Sequence, residues 1–321
     1  MSVLSRIEGA VTAARDAKRI DRLVAALAAA RTTAKLSQPI EHHRMFGQVS
    51  DYQWFWLNTV GYRRFSFLRE LLPGLPDPTL QRGWVGKSGD RALREGFHVY
   101  RACKLLCEKY DVPIRPESRV LDFGCGWGRV LRFFMRDVLP GNLYGVDVMP
   151  FSIQVCQATN SWGQFTLIDG QPPTSLPSGS FDLIYLVSVF SHLPEKTTDA
   201  WVSEFHRLLK PGGLLVTTTW PRSYIEDCER CRTGEVANAH EGALLAFKGT
   251  AEWQGRYDRG EFCHSPTGGG KMLDAAVYGE TCIPEAYART KWADRFEIRE
   301  YIQGHPWVYQ DIIVAQNKAE R

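Results

Sequence analysis

Val120-Leu121-Asp122-Phe123-Gly124-Cys125-Gly126-Trp127-Gly128-Arg129 reads as a short apolar strand that runs into a glycine turn and opens a helix. Glycine lets the backbone approach a ligand closely, and a helix start presents N–H groups without partners. The next apolar run ends in Tyr144-Gly145-Val146-Asp147, about 19 residues beyond Gly128. A carboxylate there can accept hydrogen bonds from both hydroxyls of a ribose. Strand, turn, helix and acid together point to a nucleoside-type ligand. The turn alone does not choose among the cofactors that contain one. Its spacing is GxGxG with Asp122 two residues ahead, whereas a dinucleotide turn usually reads GxGxxG so that a pyrophosphate can lie over the helix.

Outward from this turn, short apolar runs alternate with helical segments, the pattern of βα units around a parallel sheet. The expected strands are 119–123, 142–146, 165–168, 181–187 and 213–219, with 296–301 and 310–315 closing the chain. Helices are expected at 128–138, 150–160, 196–209 and 284–292, and Pro150 suits a first helical turn. Upstream, residues 3–36 carry two helical stripes, Leu4, Ile7, Val11 and Ala14, then Ile20, Leu23, Val24 and Leu27. Between His42 and Tyr110 the chain is strongly aromatic and reads as mainly helical. Residues 1–112 are therefore expected to form a helical N-terminal lid or subdomain, and 113–321 an α/β domain. That domain is interrupted at about 221–284 by an insertion after the fifth strand. An excursion of that length between core elements is more often functional than idle.

Four stretches in order resemble class I S-adenosylmethionine-dependent methyltransferases, of the group described as methyltransferase type 11 or type 12 domains. They are VLDFGCGWGR from Val120, LYGVDVMP from Leu143, SFDLIYLVSVFSHLPE from Ser180 and EFHRLLKPGGLLVTTT from Glu204. The resemblance implies a Rossmann-like sheet of seven strands, mostly parallel with an antiparallel last strand. It implies S-adenosyl-L-methionine as cofactor, with Asp122, Gly124, Cys125, Gly126 and Gly128 along its methionine half and Asp147 on the ribose. Val148 and Met149 would pack on adenine, Asp169 and Gly170 would edge it, and Ser188 with Val189 would back the methyl end. In the last motif, Lys210-Pro211-Gly212-Gly213 is expected to end a helix and turn the chain into the fifth strand.

Other readings stay open on the sequence. Tyr287 and Lys291 have the YxxxK spacing of nicotinamide-dependent reductases, although i and i+4 neighbours on a helix arise without any such role. Cys228, Cys231, Cys263 and His264 supply four potential zinc ligands, without the paired spacing of structural zinc sites, so no metal is expected. A methyltransferase fold serving only as a binding module is the third alternative.

A hydroxyl acceptor needs somewhere to send its proton. His192 follows the fourth strand at the carboxyl edge of the sheet, and its ordinary pKa suits a general base. His264, ahead of Gly268-Gly269-Gly270, is the second candidate. Tyr278-Gly279-Glu280 and Trp84-Val85-Gly86-Lys87-Ser88-Gly89 are further segments expected to face the pocket. The fourth-strand segment Leu186-Val187-Ser188-Val189 lacks the motifs of nucleic-acid amino- or C5-methylating enzymes, which leaves a small-molecule or sugar-containing acceptor, most simply O-methylated.

The bulk properties agree. In 321 residues, 39 basic and 36 acidic side chains leave a net charge of +3 with no Lys/Arg stripe, so nucleic acid is not an expected partner. No stretch approaches a membrane span, and charges scattered from Arg6 to Arg22 give the wrong layout for a secretory signal. Eight dispersed cysteines fit a reducing cytoplasm.

Overall fold

Alternation along the central strands sorts side chains onto two faces, and each face is covered by its own helices. The computed structural model describes residues 19–29, 46–47, 49–236, 239–269, 274–306 and 308–318. Strands β1 (Val120–Phe123), β2 (Leu143–Asp147), β3 (Gln164–Leu167), β4 (Phe181–Leu186) and β5 (Leu209–Thr219) are parallel. After a two-stranded hairpin of β6 (Cys263–Pro266) and β7 (Gly279–Cys282) come β8 (Phe296–Ile302) and β9 (Asp311–Asn317). The main sheet has seven strands in the order β3-β2-β1-β4-β5-β9-β8, with β9 antiparallel to both neighbours. This is the Rossmann-like methyltransferase topology expected from the motifs.

The helices used below are α1 (Asp51–Trp56), α2 (Ser66–Leu71), α3 (Pro78–Val85), α4 (Asp90–Lys109), α5 (Leu131–Phe134), α6 (Pro150–Thr159), α7 (Glu195–Leu208), α8 (Arg222–Arg232), α9 (Glu241–Leu245), α10 (Thr250–Asp258) and α11 (Glu285–Lys291). Val120, Leu183, Tyr185, Leu214 and Val216 face one side, under α4, α5 and the aromatic N-terminal segment. Leu121, Phe123, Ile184, Leu186 and Leu215 face the other, under α7 and α11. On α4 the buried residues Leu93, Phe97, Tyr100, Cys103 and Cys107 recur at helical spacing and form the stripe that meets the sheet. Helix α4 thus shares one core with β1, β4 and β5. Buried arginines fasten the segment before it: Arg132 donates to Asn58 Oδ1 and to the Pro73 and Gly74 carbonyls. Arg136 donates to the Val49 carbonyl and to Asp51.

Several sequence expectations shift. Only Leu131–Phe134 of the helix expected at 128–138 is regular, because Gly128 sits at φ 73°, outside the helical region. Helix α7 ends at Leu208, and Leu209 already pairs with Phe181, so Lys210-Pro211-Gly212-Gly213 forms a bulge inside β5 rather than a turn ahead of it. Residues 19–29 are helical and bury Ile20 and Leu27, while the first expected stripe, Leu4 to Ala14, lies outside the described residues.

The insertion is a folded unit, not a loop. Helices α8, α9 and α10 and the β6–β7 hairpin enclose a small core of Tyr224, Ile225, Cys228, Ala243, Phe247, Tyr257, Cys263 and Cys282. No helix among the described residues is long and apolar enough to cross a membrane.

Candidate active site

A cavity of about 590 Å³ opens where the carboxyl ends of β1, β2 and β4 meet, within the usual size range of small-molecule sites. Its floor is the glycine turn. Gly124, Gly126 and Gly128 have φ of 73°, 53° and 73°, a region that L side chains enter only with strain. At Gly124 a Cβ would also lie 2.6 Å from Val189 Cγ2. The backbone amides of Gly124 and Cys125 are spent on the Val146 carbonyl, at 2.8 and 3.0 Å, which ties the turn to the end of β2.

Asp147 caps that strand. Its Oδ2 accepts from Gly126 N–H at 2.9 Å and its Oδ1 from Met149 N–H at 2.8 Å. Burial raises its pKa, while these amides oppose the shift. Asp122 is more exacting: it is 4% exposed, lines the cavity, and its Oδ2 is buried with no hydrogen-bond partner. Burial pushes its carboxyl up to about 7, against the nearby Tyr185 hydroxyl and the Arg129 guanidinium. A buried acceptor without a partner is costly unless a ligand completes it. The Tyr185 hydroxyl, likewise buried without another partner, stands beside this carboxyl, and a ligand ammonium in the cavity would add a charged partner, with Arg129, also on the wall, on hand for a carboxylate. The donor set suits the amino-acid half of S-adenosylmethionine.

Asp122, Gly124, Cys125, Gly126, Asp147, Val148, Met149, Asp169, Gly170 and Ser188 all line the cavity, as does His192. Gly128 does not; it packs behind the turn, where a Cβ would approach Cys156 Sγ at 3.6 Å. His264 does not either: it sits on β6 with Nδ1 2.7 Å from Thr281 Oγ1. Cys125 is buried with its thiol pKa raised beside Cys156, as a packing residue would be. Ser188 stands at φ 60° and is held from all sides. Its amide donates to Thr218 Oγ1 at 2.8 Å, and Gln310 Nε2 donates to its Oγ at 3.0 Å. A strained polar residue so over-determined is typical of a functional wall.

The sequence reading missed Arg129, Thr197, Trp201 and Val277, which reach the cavity from three separate parts of the chain. From the aromatic N-terminal segment Trp84 and Val85 line it, whereas Gly86 to Gly89 do not. Asp77 caps α3 through Thr79 N–H, which sets the helix that carries Trp84. Trp84 then stacks on Phe151 at 5.6 Å and donates to Ser152 Oγ at 3.1 Å.

Residues 120–213 match the model of a methyltransferase domain family. These residues form a methyltransferase domain. Among relatives of this methyltransferase domain, the 2-methyl-6-phytyl-1,4-hydroquinone methyltransferase of Synechocystis sp. is 36% identical over 110 residues, 33% of this chain and 33% of that protein. The cyclopropane-fatty-acyl-phospholipid synthase of Escherichia coli is 31% identical over 163 residues, 50% of this chain and 40% of that protein. The matches therefore span well under two thirds of either relative. A crystal structure of magnesium protoporphyrin IX methyltransferase from Synechocystis with bound SAH aligns at a TM-score of 0.44 and 16% identity, over 82% of this chain and 97% of that one.

The methyltransferase domain's last wall is built around His192. Its Nδ1 lies 2.9 Å from the Gly279 carbonyl, and its ring stacks on Tyr278 at 4.6 Å. A carbonyl only accepts, so Nδ1 carries the hydrogen and Nε2 keeps a lone pair. Strand β7 is laced to the same loop, with Gly279 N–H donating to the His192 carbonyl at 2.9 Å and Thr281 N–H to the Ser191 carbonyl at 2.8 Å. Burial pushes the His192 ring down to about 4, so it is neutral at pH 7.

The tyrosine behind the reductase reading is occupied elsewhere. Tyr287 lies off the cavity and donates to Glu195 Oε1 at 2.8 Å. Among the described residues no three His, Cys, Asp or Glu side chains are grouped to hold a metal.

Proposed function

We propose that this protein is an S-adenosylmethionine-dependent methyltransferase that O-methylates a small molecule, with His192 as the general base. The observation that carries the reading is the His192–Gly279 hydrogen bond, which leaves an unprotonated Nε2 at the wall of a cavity whose floor suits the methyl donor. When bound, S-adenosylmethionine supplies an electrophilic methyl carbon whose bond to sulfur breaks, with its electron pair, as the acceptor oxygen bonds to it. The protein's part is to hold that oxygen in line and to take its proton on Nε2, from which it passes to water.

Two acceptor types were expected, a small molecule and a sugar-containing metabolite. Val85, Val187, Val189, Leu193, Val277 and Tyr278 give the wall an apolar character that supports a small molecule with an apolar body. The names of the hydroquinone and phospholipid relatives point the same way. A reducing cytoplasm as the compartment is supported by eight cysteines that are all free thiols.

The test has two arms. Calorimetry is expected to show binding of S-adenosylhomocysteine and none of NADPH; the reverse pattern overturns the cofactor assignment. Transfer of labelled methyl groups into cell extracts, followed by identification of the product, gives the acceptor. On that acceptor His192→Gln is expected to lower kcat by roughly 10²- to 10⁴-fold with little change in S-adenosylhomocysteine affinity. An unchanged kcat removes His192 as the base.

A further inference from the structure

Behind His192 the insertion places a carboxylate that neither the cofactor half of the site nor the cavity wall uses. Glu280, on β7, is 2% exposed. Its Oε2 accepts from Trp220 Nε1 at 2.5 Å and lies 3.6 Å from His192 Nδ1. Its Oε1 faces His240 Nδ1 at 3.9 Å. A Cβ on Gly242 would collide with Oε1, so the small residue there makes room for the carboxylate. A buried carboxylate is stable only where it is paired and hydrogen-bonded, and this one has the Trp220 N–H and the Tyr224 hydroxyl as neutral donors and a neutral imidazole beside it, with no cation.

We propose that Glu280 is the positioning residue of His192: it fixes the ring from behind and compensates the positive charge that the imidazole gains when Nε2 takes the acceptor's hydroxyl proton. The inference rests on the reading of His192 as the proton acceptor. It makes the insertion part of the catalytic apparatus, since β7 supplies both the Gly279 carbonyl that sets the tautomer and the carboxylate that balances the charge. In the step itself the proton leaves the acceptor oxygen for Nε2, and Nδ1–H stays bonded to Gly279 while Glu280 remains ionised beside it.

The groups around Glu280 supply neutral hydrogen bonds, from Trp220 and Tyr224, but leave any balancing positive charge to His192. Besides Trp220, at the end of β5, α8 presents Tyr224 and Cys228, both with pKa values raised by burial. His240, just before α9, faces Glu280, is lowered by burial, and is spent on Tyr224 and the Ala243 amide. On the hairpin, Tyr278 and Cys282 are likewise raised, and His264 is held neutral at Thr281 with its pKa at about 4. None of them is an Arg or Lys. Burial also sets the order of titration: Glu280 is pushed up to about 7 and His192 down to about 4. Below about pH 7 Glu280 holds a proton of its own and the base has no compensating charge; above it Glu280 is ionised and the proton affinity of His192 rises. Activity therefore climbs as pH rises through about 7, a limb that His192 alone would place near 4.

The experiment follows the pH dependence of kcat and an NMR titration of the His192 ring in the full chain, in the native protein and in Glu280→Gln, Glu280→Asp and Trp220→Phe. The native ring is expected to report an inflection near pH 7 from Glu280 as well as its own. Glu280→Gln is expected to abolish that inflection and the kcat limb, to lower kcat by about tenfold per unit of proton affinity lost, and to leave S-adenosylhomocysteine affinity within about twofold. Glu280→Asp restores part of kcat, and Trp220→Phe, by removing the N–H that favours the carboxylate, moves the limb to higher pH even if the Gln variant fails to fold. A Glu280→Gln protein with the native limb and ring titration overturns the proposal while leaving His192 as the base. A fully active His192→Gln removes the base, and this proposal with it, and the two failures are told apart by which variant keeps native kcat.

Discussion

Replacing Asp122 by Asn separates what the cofactor floor costs the fold from what it gives to binding. Asp122 is 4% exposed and Oδ2 has no partner. Burial lifts its folded-state pKa to about 7, whereas in the unfolded chain a carboxyl titrates near its ordinary value of about 3.9. Below pH 4 both states hold the proton and the group has no effect on stability. Between about 4 and 7 the folded state retains a proton that the unfolded state has lost, so stability falls as pH rises through that window and is lowest above it. A shift of about three units corresponds to about 4 kcal/mol at pH 8, as a ceiling. Asn has the same shape and no charge to desolvate. The ligand-free Asp122→Asn protein is therefore expected to be more stable than native at pH 8, by about 1 to 4 kcal/mol. At pH 4 the difference is expected to vanish. With the cofactor's ammonium at Asp122, as proposed, the same substitution removes a charge-assisted hydrogen bond worth about 1.5 to 3 kcal/mol, so S-adenosylhomocysteine is expected to bind roughly 10- to 100-fold more weakly. Urea unfolding at the two pH values and calorimetry measure both effects. A variant that is less stable at pH 8, or that binds S-adenosylhomocysteine as the native protein does, refutes the reasoning.

Two further substitutions test the walls of the same cavity. Gly124→Ala forces an L residue to φ 73° and a Cβ against Val189 Cγ2, so a loss of about 1 to 2 kcal/mol from backbone strain alone is expected, together with weaker cofactor binding. Unfolding curves that match the native ones would show that the turn is not held in this conformation. Trp84→Ala removes the ring stacked on Phe151 at the rim, and since Trp84 is only partly buried, a modest loss of stability is expected alongside a clear loss of S-adenosylhomocysteine affinity. Native affinity in that variant would place the ring outside the cofactor's reach.

Where local chemistry dictates local structure, the sequence was a sufficient guide. Runs such as Val120–Phe123 and Phe181–Leu186 are buried on both faces and flanked by helices, so apolar continuity marks them as central strands. The Lys210-Pro211-Gly212-Gly213 stretch reads as a helix stop yet lies inside β5, where Gly212, at φ 80°, makes a bulge, and nothing local distinguishes the two. The β6–β7 hairpin was invisible for a related reason. Its strands are four residues each and lie on either side of residues 267–278, without the tight-turn signal that marks a short hairpin. His264 and Glu280 illustrate the consequence. Pairing of His264 with Thr281 across that hairpin turns the histidine to Thr281 Oγ1, and the same register sets Glu280 behind His192.

The sequence by itself determined the α/β class, the order of the core strands along the chain and the glycine turn and strand-end acid that line the cavity. Those depend on residues close together in the chain: glycines that must take positive φ, an acid at a strand end, and alternating apolar runs. Only the tertiary structure decided which side chains complete the cavity and what stands behind the candidate base. Trp84, Arg129, Tyr278 and Glu280 come from distant segments whose meeting depends on sheet order, on the docking of an insertion with its own core, and on burial. Burial is also what moves Asp122, His192 and Glu280 away from their ordinary pKa values, and no local pattern in the chain encodes it.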